Sequence, residues 1–176
     1  MKAARGRRKP WVIAAIFTVL FIALQVAWIA ARGSGFERWL IEDVSVRSSV
    51  TLIQVLTPDI GATAHGPSII APGTRLNVLN GCEGTEILIP LIAALLAYPL
   101  ARRTRIIGLL AGTAWVFALN QARMLGLFYA FRDDPVLFGH LHGLVTPLLL
   151  ILGVLVFFFG VLTWDRRLPA SSRSAS

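Results

Sequence analysis

Apolar residues fall along this chain in four long blocks separated by shorter polar stretches. Residues 11–31 run without a charge, long enough to cross a hydrocarbon core that needs about 20 helical residues. Residues 106–131 carry one charge, Arg123, and residues 143–164 carry none. These three blocks predict membrane-spanning helices. Residues 87–101 are fewer and close on Tyr98-Pro99, a length that also fits an interfacial or re-entrant segment. Only the flanks of that block decide its role.

The longest polar region, 32–86, has two parts. In the first, Phe36, Trp39, Leu40, Val44, Val46, Val50, Ile53 and Leu56 recur at rough helical spacing, with Glu37, Glu42, Asp43 and Arg47 mostly between them. That pattern predicts an amphipathic helix lying on a membrane surface. In the second part Gly61, Gly66, Pro67, Pro72 and Gly73 punctuate short runs such as Ser68-Ile69-Ile70, which reads as a hairpin or small irregular cap. The expected architecture is an all-α membrane protein of about four transmembrane helices with an extracytoplasmic amphipathic helix and cap. Its divisions are a basic N-terminus (1–10), an anchor (11–31), the outer helix and cap (32–86), a three-span core (87–164) and a tail (165–176). The first span is read as a retained anchor, because its apolar run exceeds the roughly 7–15 residues of a signal-peptide core.

Composition agrees with a bilayer as solvent. Of 176 residues, 56% are hydrophobic and 15% charged, with a mean hydropathy of +0.70. Charge placement then orients the chain. Lys2, Arg5, Arg7, Arg8 and Lys9 precede the first block, Arg102, Arg103 and Arg105 separate the second from the third, and Arg166, Arg167 and Arg173 follow the fourth. All acidic residues except Asp165 lie in the other two connections. The positive-inside rule puts both termini in the cytoplasm and requires the second block to cross. The net charge of +8 thus reflects membrane orientation. Basic residues split among short juxtamembrane clusters give no nucleic-acid-binding face.

The chemistry centres on Cys82, the one cysteine of the chain, set between Gly81 and Glu83-Gly84 where the polar region meets the second block. A lone cysteine cannot make an intrachain disulfide or a CxxC pair. It is either an inert small hydrophobe, an attachment point or a nucleophile. Flanking glycines leave the backbone open to close approach. The topology brings Arg123 and Asn120, one turn apart on the third block, to the same membrane face. His140 and His142, at the mouth of the fourth block, join them there. An arginine inside a span costs about 2.5–3.5 kcal/mol on insertion scales and usually faces a functional interior. A thiol with an ordinary pKa near 8.5 needs a base or cation to become the attacking thiolate. Histidine serves as that base, and arginine holds developing negative charge. Against this stand the bland readings, in which Arg123 snorkels to the interface and the histidines are interfacial. His65 reads as a loop histidine. No metal-ligand spacing such as H-E-x-x-H occurs, and no cofactor is expected.

Taken together, Asn80-Gly81-Cys82-Glu83-Gly84-Thr85-Glu86, Asn120-Gln121-Ala122-Arg123 and Leu141-His142-Gly143 resemble the exosortase/archaeosortase family. These are multi-span membrane cysteine enzymes that process C-terminal sorting signals of the PEP-CTERM type. The likeness covers residues 57–164. It implies Cys82, Arg123 and His142 as catalytic residues, with Asn120, Glu83 and His140 as supporting candidates. Glu83 departs from the Ser or Thr common after the family's cysteine, and four spans are about half the number in larger members. The chain is therefore similar to a compact member, of the kind placed in the small subgroup M.

What the resemblance implies is a cysteine protease or transpeptidase of the bacterial inner membrane with a periplasmic active site. Its expected partners are the sorting-signal helix of a secreted protein, the lipid bilayer, and either water or an amine on a surface polymer as acyl acceptor. Two other classes stay open on the residues alone. One is a non-catalytic membrane scaffold. The other is a thiol-redox membrane enzyme, disfavoured by the single cysteine.

Overall fold

The computed structural model describes residues 9–78 and 81–168. Asn80, the basic residues before Lys9, and the tail from residue 169 lie outside them. Helix α1 (Pro10–Ala31) opens on a proline at its first turn, where the missing N–H is no loss. Its 22 residues span about 33 Å, and the protein buries none of them. Trp11 and Trp28 stand near its two ends, as interfacial aromatics do in membrane helices.

Ser34 caps the next helix. Its Oγ accepts from the Glu37 N–H, and the Glu37 carboxylate returns to accept from the Gly33 N–H. This Ser-x-x-Glu exchange resembles a capping box, shifted by one residue at the return bond. The helix begins as α2 (Gly35–Arg38), winds as a π-helix over Trp39–Arg47, and ends as α3 (Ser48–Leu56). It buries Ile41, Val46, Val50 and Ile53, whereas Phe36, Trp39 and Leu56 are exposed. The apolar positions expected on one face therefore divide between two.

The cap is more regular than its turn-rich sequence indicates. Strands β1 (Thr63–His65), β2 (Ser68–Ala71) and β3 (Thr74–Asn77) form an antiparallel meander in the order β1-β2-β3, so the fold is mostly helical rather than all-α. Gly66 and Gly73 take positive φ in its two turns, which no other residue type enters so readily. Ile69, Ala71 and Leu76 of the sheet join Ile41, Val46, Val50 and Ile53 of the surface helix in one core with Met124 and Phe128. The cap thus seats on the later half of the long helix α5 (Arg102–Asp133).

A second core lies between α4 (Thr85–Ala97), α5 and α7 (Thr146–Arg167), built from Leu91, Leu95, Leu100, Val116, Val161 and Leu162. Gly112 lets these helices close up. A Cβ there would come within 3.0 Å of Leu91 and 3.1 Å of Phe157, the close approach that small residues permit in membrane bundles. The Trp115 indole N–H donates to the Gly153 carbonyl at 3.1 Å, joining α5 to α7. At one pole the Asp165 carboxylate accepts from the Ala101 N–H at 3.1 Å, so the end of α7 meets the arginine-rich start of α5. The starts of α4 and α7 lie at the opposite pole.

Among the described residues, two helices are long and apolar enough to cross a membrane: α1, and the continuous helix Pro135–Arg167. The latter contains α6 (Pro135–His140), a π-helical stretch at Leu141–Val145, and α7. The fourth apolar block thus begins earlier than its charge pattern suggests, because Asp134 accepts from the Val136 and Leu137 N–H groups and caps the helix there. Helix α4 has 13 residues, about 20 Å. Helix α5 is long enough, with 32 residues, but carries Asn120, Gln121 and Arg123 within it.

Candidate active site

The loop before α4 is held from three directions. Gly81 and Gly84 take φ of 94° and 88°, in the left-handed region that strains side chains with a Cβ. Glu83, buried between them, accepts from the Gly81 N–H with Oε2 and from the Thr85 hydroxyl with Oε1, both at 2.6 Å. The residue that departs from the resembling family's pattern is therefore the staple that closes the loop. From the opposite side Asn120 donates through Nδ2 to the Cys82 carbonyl at 3.0 Å, and Arg123 reaches the Gly81 carbonyl with Nη1 at 3.5 Å. Their three-residue spacing on α5 puts both donors on one face, so one helix grips two successive carbonyls. Gly84 is fitted against this grip, since a Cβ there would lie 3.2 Å from Asn120 Cγ.

Cys82 is half-buried and lines a small cavity with Leu76 and Asn77 of β3, Val78 just after it, Met124 and Leu127 of α5, and Phe138 and His142. The cavity measures about 30 Å³, room for a water or two but not for a peptide. Its exposed lining is mostly apolar, so a charge formed there is less screened than in open water. His142 is placed by an aromatic ladder. Its ring stacks on Phe138 at 5.4 Å and 10°, and Phe138 meets Phe131 edge-on at 5.0 Å. The four-residue step from Phe138 to His142 puts the two rings on the same side of their helix, and one flank of His142 remains exposed.

The candidates from the sequence divide cleanly. Cys82 and His142 share one cavity. Asn120 and Arg123 hold the loop, and Arg123 also lines a separate cavity of about 200 Å³ between α5 and α7 with Leu119, Ala122, Thr146, Leu149 and Leu150. Glu83 supports the loop. His140 is exposed and lines neither cavity. Asp134, close to the histidines in sequence, is a helix cap, and among the described residues no group of three or more His, Cys, Asp and Glu converges.

Residues not singled out in the sequence also support the site. Gln121 accepts from the Ser49 hydroxyl at 2.6 Å, inside the protein, tying the surface helix to α5 beside Asn120. Phe138 supports His142, and Thr85 supports Glu83. The Phe138–His142 spacing was readable in the sequence. The Ser49–Gln121 pair, 72 residues apart, was not.

The description of the transmembrane exosortase family matches residues 2–160 of this sequence. No curated protein and no solved structure matches significantly. The family match takes in the Cys82 loop, the Asn120–Arg123 turn and His142, and covers all but the last part of α7 and the tail. The chain belongs to the transmembrane exosortase family, and is a membrane protein.

Proposed function

We propose that the chain is a cysteine peptidase or transpeptidase that cleaves C-terminal sorting signals of secreted proteins at the outer face of the bacterial inner membrane. The observation that carries this reading is the shared apolar cavity of Cys82 and His142, beside a loop whose carbonyls are gripped by Asn120 and Arg123. The orientation rests on the charge pattern. With the arginine-rich pole cytoplasmic, α4 and α5 cross as the second and third spans, and Cys82 and His142 face the periplasm. On this reading α4 is short because part of its crossing is made by the chain on either side of it.

In the proposed reaction, His142 takes the thiol proton and Cys82 Sγ bonds to the scissile carbonyl carbon, giving a tetrahedral intermediate. Arg123 supplies positive charge next to the developing oxyanion. As the C–N bond breaks, His142 returns the proton to the departing amine, leaving a thioester on Cys82. Water or a polymer amine then attacks the thioester and regenerates the thiol. A peptide needs far more room than about 30 Å³, so its entry displaces the exposed side of the wall, where Phe138 and His142 lie. A sorting-signal helix lying in the bilayer would present its cleavage motif at that pole.

The test is mass spectrometry of the purified enzyme after brief exposure to a sorting-signal substrate. A hydroxylamine-sensitive acyl adduct on Cys82, carrying the substrate's N-terminal fragment, is expected. Efficient cleavage with no adduct on rapid quench, unchanged by thiol alkylation, would contradict the reading. The scaffold alternative predicts no turnover and only folding effects on substitution. A redox enzyme would need a second thiol that the chain does not supply.

A further inference from the structure

The helix from Gly35 to Leu56 carries a repeat of four, which is foreign to regular α-helical geometry. Glu37, Ile41, Ser45, Ser49 and Ile53 are all buried. One position earlier at every step stand Phe36, Leu40, Val44, Ser48 and Leu52, and Leu56 continues that row. In that second row Phe36, Leu52 and Leu56 are 56%, 39% and 61% exposed, with Leu40 and Val44 half-exposed. In an α-helix each four-residue step overshoots a full turn by about 40°, so Phe36 and Leu56 would end about 200° apart. The nine π-wound residues Trp39–Arg47 change this. With i→i+5 bonding each residue turns through roughly 80° rather than 100°, a lag of about 180° in all. The π winding straightens both rows into parallel ridges. Opposite the buried ridge lie Asp43 and Arg47, ion-paired at 2.9 Å, and Thr51.

We propose that the ridge Phe36–Leu40–Val44–Leu52–Leu56 is inserted into the bilayer interface, with lipid as its occupant. The ridge continues the surface of α1, none of whose residues the protein buries. Trp28 of α1 meets Phe36 edge-on at 6.4 Å, and Phe36 meets Trp39 at 5.9 Å, an aromatic cluster of the kind found at headgroup depth. The ion-paired ridge lies farthest from the protein core, where headgroups and water can solvate it. The buried ridge includes Ser49, bonded to Gln121 next to Asn120. Lipid contact on one side and the Cys82 loop on the other are therefore linked through one helix, which would set the depth of Cys82 relative to the membrane. This requires nothing of the chemistry at Cys82, and its test does not read activity.

Single cysteines at Leu40, Val44, Leu52, Asp43, Arg47 and Thr51, in a Cys82→Ala background, would carry nitroxide labels on the full chain in phospholipid vesicles. Labels at Leu40, Val44 and Leu52 should collide severalfold more with oxygen than with a water-soluble nickel chelate. Labels at Asp43, Arg47 and Thr51 should show the reverse. Nickel access at the ridge equal to that at Thr51 would overturn the assignment. So would spin–spin broadening at the ridge that vanishes on dilution with unlabelled chain, because the occupant would then be a second copy.

Discussion

The Asn120 side chain donates to the Cys82 carbonyl at 3.0 Å, while its own Oδ1 is buried without a partner. The amide thus fixes the backbone that carries the thiol and leaves an acceptor at the edge of the loop. Asn120→Ala removes this bond, a loss of about 0.5–1.5 kcal/mol. If all of that is felt in the transition state, cleavage slows about tenfold or less. Asn120→Asp keeps the shape but loses the donor and should be as slow. Rates of substrate cleavage and of Cys82 alkylation check this; unchanged rates in both variants would mean that the loop holds its shape alone.

Gly84 is constrained twice, by its φ of 88° and by Asn120 against its face. Gly84→Ala should lower stability by roughly 1–3 kcal/mol, from left-handed strain and a contact that cannot relax freely. Gly81→Ala carries the same strain, but its near neighbour is the end of the flexible Glu86 side chain, which can swing away. Thermal unfolding in detergent should rank Gly84→Ala below Gly81→Ala.

His142 and His140 stand two residues apart, yet only His142 lines the Cys82 cavity. His142→Ala should reduce cleavage by about 10²–10⁴-fold, the usual range for a lost general base. His140→Ala should stay within a few-fold of the unsubstituted enzyme. Phe138→Leu, which removes the stacking surface under the imidazole, should fall between them. Equal losses at both histidines would move the base assignment or make both structural.

Much of this was legible in the sequence, for identifiable reasons. The blocks of apolar residues and Arg102, Arg103 and Arg105 mark helices and a turn without tertiary information. Cys82 between glycines, the Asn120–Arg123 turn and His142 lie on local motifs, so a family resemblance could form on them. The two ridges of the surface helix were not legible, because a 3.6-residue reading merges Phe36, Val46 and Ile53 onto one face and the π winding separates them. The regular sheet was hidden because strands of three and four residues are too short to show alternation against so many turn residues. The role of Glu83 depends on positive φ at Gly81 and Gly84, a conformation that composition alone does not specify.

The orientation has its own consequence. Anionic lipid attracts each nearby basic residue by about 1 kcal/mol, and the charge clusters agree on one side. A reporter fused after Trp164 should be cytoplasmic, and one inserted between Gly61 and Pro72 periplasmic. Labelling of cysteines placed at residues 101–105 by a membrane-impermeant reagent in intact cells would show that α4 does not cross as proposed.

Cys82 is the centre of the account, and its substitution is the most direct measurement. A secreted reporter bearing a matched sorting signal would be co-expressed with the unsubstituted chain, with Cys82→Ala and with Cys82→Ser, all present at equal levels in the membrane. The account predicts mature reporter with the first, and accumulation of uncleaved membrane-held precursor with both variants. Mature reporter formed by Cys82→Ala at the unsubstituted rate would contradict it.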